Sequence, residues 1–301
     1  MQWLPRLRKT APAPHSILQT RFNPGQHFSA KVLTFYGPCR NLNGVRIGVF
    51  DSGVGGVTVL KELRKRFPSH HYLYFGDTAN VPYGSKSPTQ IRALCRDSAL
   101  RMESHGIEAL VIACNTAASL ALNEFKQVLS TLPILDVVEA GVESITEAIP
   151  DGSAPALVLG TRATVRSRIY SDWLRIKSPD LRVFEQECPL LVPLIEEGWI
   201  EHPILGLTVE EYVREYRNLG PGAALLACTH YPWIRKAFED RLPGWNILDS
   251  AGALARIAGK RLLLEQDHDP GMAPSVTWHF SDPDALSRHI REEIGPSLSK
   301  F

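Results

Sequence analysis

The stretches Ala109-Leu110-Val111-Ile112-Ala113-Cys114-Asn115-Thr116 and Ala223-Ala224-Leu225-Leu226-Ala227-Cys228-Thr229-His230 decide the fold. Each is a continuous apolar run of strand length that turns polar within one or two residues of a cysteine. Such runs are typical of buried parallel strands, and α/β sheets place their chemistry at the carboxyl ends of those strands. We therefore expect two thiols at two strand ends, which suits a reaction needing one acid and one base on opposite sides of a carbon atom.

The two stretches belong to an internal repeat. A strand ending in a polar glycine loop precedes Cys114, and a comparable strand and turn precedes Cys228. Asp51 lies 63 positions before Cys114, and Thr161 lies 67 positions before Cys228. This near-equal spacing favours a duplicated α/β half, although apolar-then-small turns also recur by chance in unrelated α/β proteins. Two such halves facing each other would form a pseudo-symmetric cleft.

The bulk composition is that of a globular protein with a real core. The chain has 301 residues, 44% of them hydrophobic, and a net charge of +1, which suits one large or two ordinary domains. The charge gives no argument for a nucleic-acid or membrane partner, and no stretch is long enough to span a bilayer. The five cysteines are odd in number and scattered, which argues against a disulfide framework or a zinc site and favours a reducing compartment.

Residues 1–44 differ from the rest of the chain. They hold six basic side chains, no acidic one and several prolines, without helical or strand periodicity. We expect a disordered or loosely docked extension. An organelle transit peptide and upstream sequence from a mis-called start codon remain as alternatives.

From Val45 onward, strand and helix patterns alternate, which indicates largely parallel sheets covered on both faces. The pattern returns after the second cysteine strand. We therefore predict two pseudo-symmetric α/β domains, 45–139 plus 248–301 and 140–247, with the active site in the cleft between them. Locally, the pattern predicts a strand at 133–139, helices at 233–241 and from 250 to about 265, and a capped helix that begins at 281–284.

Several side chains near the strand ends are candidates for chemistry. The loop Asp51-Ser52-Gly53-Val54-Gly55-Gly56 lacks both nucleotide-binding fingerprints, but its free N–H groups could hold the carboxylate of a small acidic substrate; a purely structural glycine turn is the alternative. His230 could exchange a proton with Cys228 if the two lie in a turn, or could be a structural hydrogen-bonding residue. Cys114 has no histidine nearby in sequence, so Asp51 is its natural proton partner.

Six motifs can now be set in order along the chain: Asp51-Ser52-Gly53-Val54-Gly55-Gly56; Gly76-Asp77-Thr78 through Pro82-Tyr83-Gly84; Cys114-Asn115-Thr116-Ala117; Gly160-Thr161-Arg162-Ala163-Thr164-Val165-Arg166-Ser167; Cys188-Pro189-Leu190-Leu191-Val192-Pro193 with Glu196-Glu197-Gly198; and Cys228-Thr229-His230-Tyr231-Pro232. Together they resemble the glutamate racemase family of the aspartate/glutamate racemase superfamily. Each motif is weak alone, but the six in register, from about Val45 to Ala251, are specific.

The resemblance implies roles for individual residues. Cys114 would take the α-proton from D-glutamate and Cys228 from L-glutamate, with the other thiol returning a proton. Asp51 would assist Cys114, while His230, together with Glu139, would assist Cys228. The substrate-binding residues implied are Asp51, Ser52, Pro82, Tyr83, Gly84, Asn115, Thr116, Thr161, Thr229 and His230.

The resemblance also implies a cellular setting. The expected activity is cofactor-independent and metal-free interconversion of L- and D-glutamate in the cytoplasm, which supplies D-glutamate for peptidoglycan synthesis and thus for cell-wall biogenesis and cell shape. The expected partners are glutamate and a second copy in a homodimer, without membrane or direct nucleic-acid contact. A peptidoglycan-precursor activator or a contact with DNA gyrase is also permitted, because some relatives with N-terminal extensions have them.

Two other functions compete with this interpretation. A sister two-cysteine racemase acting on aspartate or another acid would share the fold, and assays of both amino acids would separate the two. A non-catalytic protein that binds a small acid or nucleotide would bind its ligand without exchanging the α-proton. Neither alternative explains all six motifs.

Overall fold

The computed structural model describes residues 45–262, 264, 275–286, 291 and 298–300. Their strands are β1 (Arg46–Asp51), β2 (His71–Gly76), β3 (Ala109–Ile112), β4 (Ile134–Asp136), β5 (Ala156–Gly160), β6 (Val183–Glu187), β7 (Ala223–Ala227), β8 (Asn246–Asp249), β9 (Val276–Phe280) and β10 (Leu298–Lys300). They form two sheets, in the orders β10-β9-β2-β1-β3-β4 and β6-β5-β7-β8. All these strand pairs are parallel, so the predicted α/β class is confirmed.

Helices connect the strands and cover the sheets. They are α1 (Val57–Arg66), α2 (Pro88–Glu103), α3 (Asn115–Val128), α4 (Val137–Ala148), α5 (Arg162–Ser167), α6 (Ile169–Lys177), α7 (Leu191–Glu196), α8 (Pro203–Val213), α9 (Arg235–Glu239) and α10 (Ser250–Arg261). Short 3₁₀ turns lie at Thr78–Asn80, Tyr83–Ser85, Arg214–Leu219, Tyr231–Ile234 and Pro283–Ala285. No helix among the described residues is long and apolar enough to cross a membrane.

Two local predictions are wrong in detail. The strand predicted at 133–139 ends at Asp136, because the Asp136 side chain accepts hydrogen bonds from the N–H groups of Val138 and Glu139 and starts α4 there. The helix predicted at 233–241 is a 3₁₀ turn followed by the short α9. The helix predicted from 250 to about 265 starts as predicted but ends at Arg261, with Leu262 as its C-cap. The predicted extension at 1–44 and most of the helix predicted from 281 lie outside the described residues.

Four consecutive strands of the first sheet and the four strands of the second have the same order. In the first sheet β2-β1-β3-β4 are neighbours, and in the second β6-β5-β7-β8 are neighbours. Matching β1–β4 with β5–β8 therefore superimposes the two connectivities, as expected for a pseudo-symmetric pair. The predicted domain boundary at 247/248 falls inside β8, whose Leu248 and Asp249 pair with β7 in the second sheet.

The helices that follow the fourth strand of each sheet are exchanged. Helix α4, which leaves the first sheet, packs on β7, β8 and α6 of the second half. Helix α10, which leaves the second sheet, packs on α1 of the first half and against α4 itself. As a result one hydrophobic core contains buried side chains of both sheets, including Val111 and Leu225, while a second core fills the outer face of the second sheet.

Candidate active site

The carboxyl ends of the central strands of both sheets meet at one cleft. The strand order reverses between β1 and β3 in the first sheet and between β5 and β7 in the second. At such a reversal the two connections run to opposite faces of the sheet and leave a crevice, where open α/β sheets bind ligands. Ser52 follows β1, Cys114 follows β3, Thr161 follows β5 and Cys228 follows β7, and all four line this cleft.

The cleft is narrow, with a volume of about 70 Å³, and residues of both halves line it. The lining residues are Ser52, Val81, Pro82, Tyr83, Gly84, Ser85, Cys114, Asn115, Thr116, Thr161, Arg162, Cys188, Pro189, Val192, Pro193, Glu196, Cys228, Thr229 and His230. Both cysteines and all but one of the predicted substrate-binding residues are among them; the exception is Asp51, which lies behind the surface. No group of His, Cys, Asp and Glu side chains suited to a metal ion occurs in the part of the chain that the structure describes.

Cys114 lies at the start of a helix, in an almost dry environment. It is the N-cap of α3 and is 5% exposed. Its Sγ accepts a hydrogen bond from the N–H of Ala117 (3.5 Å) and donates one to Ser52 Oγ (3.3 Å). Burial and the nearby Asp51 carboxylate raise the pKa of Cys114 to about 12, although the bonds to Ser52 and Ala117 act the other way. Near neutral pH Cys114 is therefore a protonated thiol, ready to act as an acid.

Cys228 is just as buried but has a different neighbour. It is 6% exposed, and His230 Nδ1 lies 3.9 Å from its Sγ. His230 Nε2 in turn lies 2.9 Å from Glu196 Oε1. Burial alone would lower the pKa of His230, but its hydrogen bonds and charge interactions with Cys228 and Glu196 outweigh this and raise the pKa to about 10. Near neutral pH His230 is therefore a charged imidazolium between the Cys228 sulfur and the Glu196 carboxylate, and among the described residues Cys114 has no such neighbour.

Asp51 links the two halves. Its Oδ2 accepts from the N–H of Gly53 (2.9 Å) and its Oδ1 from the hydroxyl of Thr229 (3.2 Å). Burial raises the pKa of Asp51, and nearby His230 opposes that rise. The glycine loop allows this approach, because a Cβ atom at Gly55 would overlap Thr229 and His230. The Cys114 thiol bonds to Ser52 instead of Asp51, so Asp51 acts on it through its charge in this structure.

The structure does not bring Glu139 to the cysteines. Glu139 lies in the first turn of α4, and its carboxylate accepts hydrogen bonds from Arg261 at the end of α10 (Nη1 to Oε2, 2.8 Å). The carboxylate beside His230 belongs to Glu196, at the end of α7. The expected role of Glu139 beside His230 is corrected accordingly. Glu139 bonds Arg261 and so joins α4 to α10, the two exchanged helices.

Hydroxyl groups occupy the floor and rim of the cleft. Thr116, Thr161 and Thr164 form a triangle across the two halves, with Oγ1–Oγ1 distances of 3.0, 3.0 and 3.3 Å. The Tyr83 hydroxyl donates to the buried carboxylate of Asp77 (2.6 Å), which fixes the Tyr83-Gly84 turn at the rim. These groups supply hydrogen-bond donors without a fixed positive charge, which suits a substrate that carries carboxylates.

Sequence reasoning assigned no role to several lining residues. Glu196, Cys188, Pro189 and Pro193 were recognised as part of a motif, and Arg162 as part of another, but no chemical role followed from either. The available signal for Glu196 was its place in a motif that occurs together with the two cysteine motifs. Spacing alone could not have found it, because 34 positions separate it from His230.

Comparison with known proteins agrees with this geometry. The family model described as Asp/Glu/Hydantoin racemase matches residues 57–258, a range that includes both cysteines. A glutamate racemase of Chlorobaculum tepidum is 42% identical over 217 residues, which cover 72% of this chain and 79% of that protein. The chain belongs to the glutamate racemase family.

Further relatives support this membership. A glutamate racemase of Syntrophus aciditrophicus is 40% identical over 255 residues, covering 84% of this chain and 93% of that protein. The crystal structure of glutamate racemase from Francisella tularensis in complex with D-glutamate matches with a TM-score of 0.75 and 28% identity, covering 86% of this chain and 97% of that one. The resemblance inferred from the six motifs is confirmed, and the chain is an isomerase of the amino-acid racemase class.

Proposed function

We propose that the protein interconverts L- and D-glutamate by proton transfer at the α-carbon, with one thiol on each face of the substrate. The observation that carries the proposal is the pair of cysteines that two similar halves present to one cleft, each with different electrostatic surroundings. The substrate is taken from relatives about 40% identical that are named glutamate racemases.

In the direction from L- to D-glutamate, the Cys228 thiolate takes the α-proton. An S–H bond forms as the C–H bond breaks, and the electron pair stays on the α-carbon. The Cys114 thiol then delivers its proton to the opposite face and becomes a thiolate. In the reverse direction the roles are exchanged, since D-glutamate meets the Cys114 thiolate first. His230, held by Glu196, assists Cys228, and the charge of Asp51 acts on Cys114.

The difficult part of this reaction is the carbanion, because an α-proton next to an ionised carboxylate is very weakly acidic. Donors that are already in place can stabilise the developing charge in a dry cleft. The proposed substrate-binding residues are Ser52, Pro82, Tyr83, Gly84, Asn115, Thr116, Thr161, Thr229 and His230 at the cleft surface, with Asp51 behind them. Their hydroxyl and amide groups would orient the two carboxylates and the ammonium group.

The cellular role follows from the family resemblance. We infer that the protein acts in the cytoplasm, that its D-glutamate enters peptidoglycan synthesis and that it forms a homodimer. Activation by a peptidoglycan precursor and contact with DNA gyrase stay predictions. Light scattering of the purified protein, and racemisation measured with and without such a precursor, would test the homodimer and the activation.

The decisive test is exchange of the α-proton in D₂O without added cofactor. Each glutamate enantiomer should take up deuterium and reach a one-to-one mixture with its mirror image, because enantiomers have equal free energy in water. L- and D-aspartate, assayed in parallel, should react much more slowly. Faster aspartate exchange would identify the sister activity, and glutamate binding without exchange would identify a binding protein.

A further inference from the structure

Tyr170 makes a buried contact to a residue of the cleft without lining the cleft itself. It is the second residue of α6 and is 0% exposed, and its hydroxyl donates a hydrogen bond to Asn115 Oδ1 at 2.6 Å. Asn115 is the first residue of α3, immediately after Cys114, and it lines the cleft. The contact therefore joins a helix of the second half to the residue next to a reactive thiol of the first.

The direction of this hydrogen bond determines what Asn115 presents to the cleft. An asparagine amide has one acceptor oxygen and one NH₂ group with two donors. Because Oδ1 accepts from Tyr170, Nδ2 lies on the other side of the amide. Among the described residues, Nδ2 donates no hydrogen bond. An unused donor in the wall of an active-site cleft is suited to a carboxylate oxygen and unsuited to an ammonium group.

The surroundings of Tyr170 keep its ring and its proton in place. A Cβ atom at Gly141 of α4 would lie 2.9 Å from the Tyr170 ring and 3.0 Å from its hydroxyl, so the glycine makes room for the side chain. Burial, together with the nearby Asp136, Glu185 and Cys228, raises the pKa of Tyr170. The hydroxyl therefore stays protonated and remains a donor wherever the enzyme works.

We propose that Tyr170 is a positioning residue that holds the Asn115 amide so that Nδ2 donates to a carboxylate of the substrate. This inference rests on the proposed function and assigns a role to a residue behind the cleft wall. Tyr170 acts through Asn115, so its effect belongs to substrate binding more than to proton transfer.

The test is Tyr170→Phe, which removes only the hydroxyl. We expect KM for both glutamate enantiomers to rise about 5- to 30-fold, the effect of losing one well-placed hydrogen bond, with a smaller change in kcat. The matched control is Tyr72→Phe: Tyr72 is also fully buried, and its hydroxyl donates to the backbone oxygens of Leu63 and Phe67. The control should lower Tm to a similar degree and leave KM unchanged.

A double variant separates positioning from general damage. In an Asn115→Ala background, adding Tyr170→Phe should raise KM no further, because the group being positioned is gone. A KM for Tyr170→Phe equal to that of the control, or an undiminished effect in the Asn115→Ala background, would overturn the proposal. If Tyr170→Phe does not fold, Gly141→Ala displaces the same ring and should also raise KM.

Calorimetric binding of a one-to-one mixture of the glutamate enantiomers distinguishes this inference from the proposed function. Tyr170→Phe should weaken binding by about the same factor as it raises KM, and turnover leaves the composition of this ligand unchanged. A wild-type protein that binds glutamate but does not racemise it would contradict the proposed function and leave the role of Tyr170 measurable. Unchanged binding in an active Tyr170→Phe variant would contradict the role of Tyr170 alone.

Discussion

The two halves of the cleft have the same strand order and nearly equal burial of their cysteines, yet the two thiols have different neighbours. The Cys114 sulfur accepts a hydrogen bond from a helix N–H and donates one to the Ser52 hydroxyl, and burial together with the nearby Asp51 carboxylate raises its pKa to about 12. Cys228 has an imidazole at 3.9 Å, which a second carboxylate supports. The repeated fold fixes where the thiols lie, and the non-repeated neighbours give each thiol different electrostatic surroundings.

This difference matters because the overall reaction is symmetric. At equilibrium neither enantiomer is favoured, but the proposed mechanism needs one thiol protonated and the other ionised when a substrate binds. In that mechanism L-glutamate meets Cys228 as the base and Cys114 as the acid. After one turnover the protons would be on the opposite sulfurs, so the protein would have to return a proton from one half to the other.

The largest expected effect comes from replacing either thiol. Cys114→Ser and Cys228→Ser should each lower racemisation about 10²- to 10⁴-fold, because serine is a much weaker acid and each proton transfer is worth that much. Elimination from a β-substituted glutamate needs abstraction only, so Cys114→Ser should lose it for the D-enantiomer and Cys228→Ser for the L-enantiomer. Cys95→Ser, at a buried cysteine of α2, should keep its activity as a matched control. More than a tenth of wild-type racemisation in either cleft variant would contradict the two-thiol assignment.

Alkylation measures the contrast between the thiols directly. Both have nearly the same exposure, so access is matched and reactivity follows the fraction of thiolate. With iodoacetamide at pH 7.5, Cys228 should react at least about tenfold faster than Cys114. The rate at Cys114 should rise as pH approaches 12, where its thiol ionises. Mass spectrometry of the peptides that contain Cys114 and Cys228 gives both alkylation rates. Equal rates would contradict the proposed difference between the two thiols.

The next largest effect should distinguish the carboxylate of Glu196 from that of Glu139. Glu196→Gln should lower kcat about 10- to 100-fold, since a hydrogen bond between charged groups is worth that much, and should slow alkylation of Cys228. The same change at Glu139, which bonds Arg261 away from the cleft, should leave kcat within about twofold and cost at most about 1 kcal/mol of stability. Steady-state kinetics of both variants is the measurement. A larger decrease of kcat in Glu139→Gln than in Glu196→Gln would contradict this correction and favour a catalytic role for Glu139.

The smallest effect concerns stability at high pH. Because the folded protein holds the Cys114 proton up to about pH 12 and an unfolded thiol releases it near 9, the contribution of that thiol is fully present below pH 9 and is lost as pH rises from 9 to 12. The free energy of unfolding should therefore fall between those values by up to about 1.4 kcal/mol per pH unit. Urea unfolding at pH 8.5 and 10.5 should show a smaller fall for Cys114→Ser. The buried thiols of Cys95 and Cys188 are common to both proteins, so the difference isolates Cys114; an equal fall would contradict the shift.

The sequence was sufficient for the parts of the molecule that depend on short stretches. Apolar runs followed by Cys114 and Cys228 predicted the strand ends, and the carboxyl-end rule then predicted one cleft, because parallel strands bring their ends to a common edge. Val137 and Val138 favoured a strand by their β-branched side chains. The helix begins there because the Asp136 side chain satisfies two backbone N–H groups, a contact that depends on a rotamer and not on propensity.

The carboxylate partner of His230 could not be chosen from the sequence. Glu139 and Glu196 each follow a predicted strand end or a family motif, and each lies far from His230 along the chain. Which of the two carboxylates contacts His230 depends on how α4 and α7 pack around the second sheet. The exchange of helices directs Glu139 to Arg261, and that exchange is a property of the two halves together.

The exchange of α4 and α10 also bears on how the protein folds. Each half sends the helix after its fourth strand to cover its neighbour, so neither half has a complete core when taken by itself. Two fragments divided in the loop between α4 and β5 would each lack a covering helix, and each would carry the one that the other lacks. Such fragments should reach the native fold only when they associate with each other. By the same reasoning, partial unfolding cannot release one half while the other stays intact, and the two sulfurs lose their common cleft only when the shared core is lost.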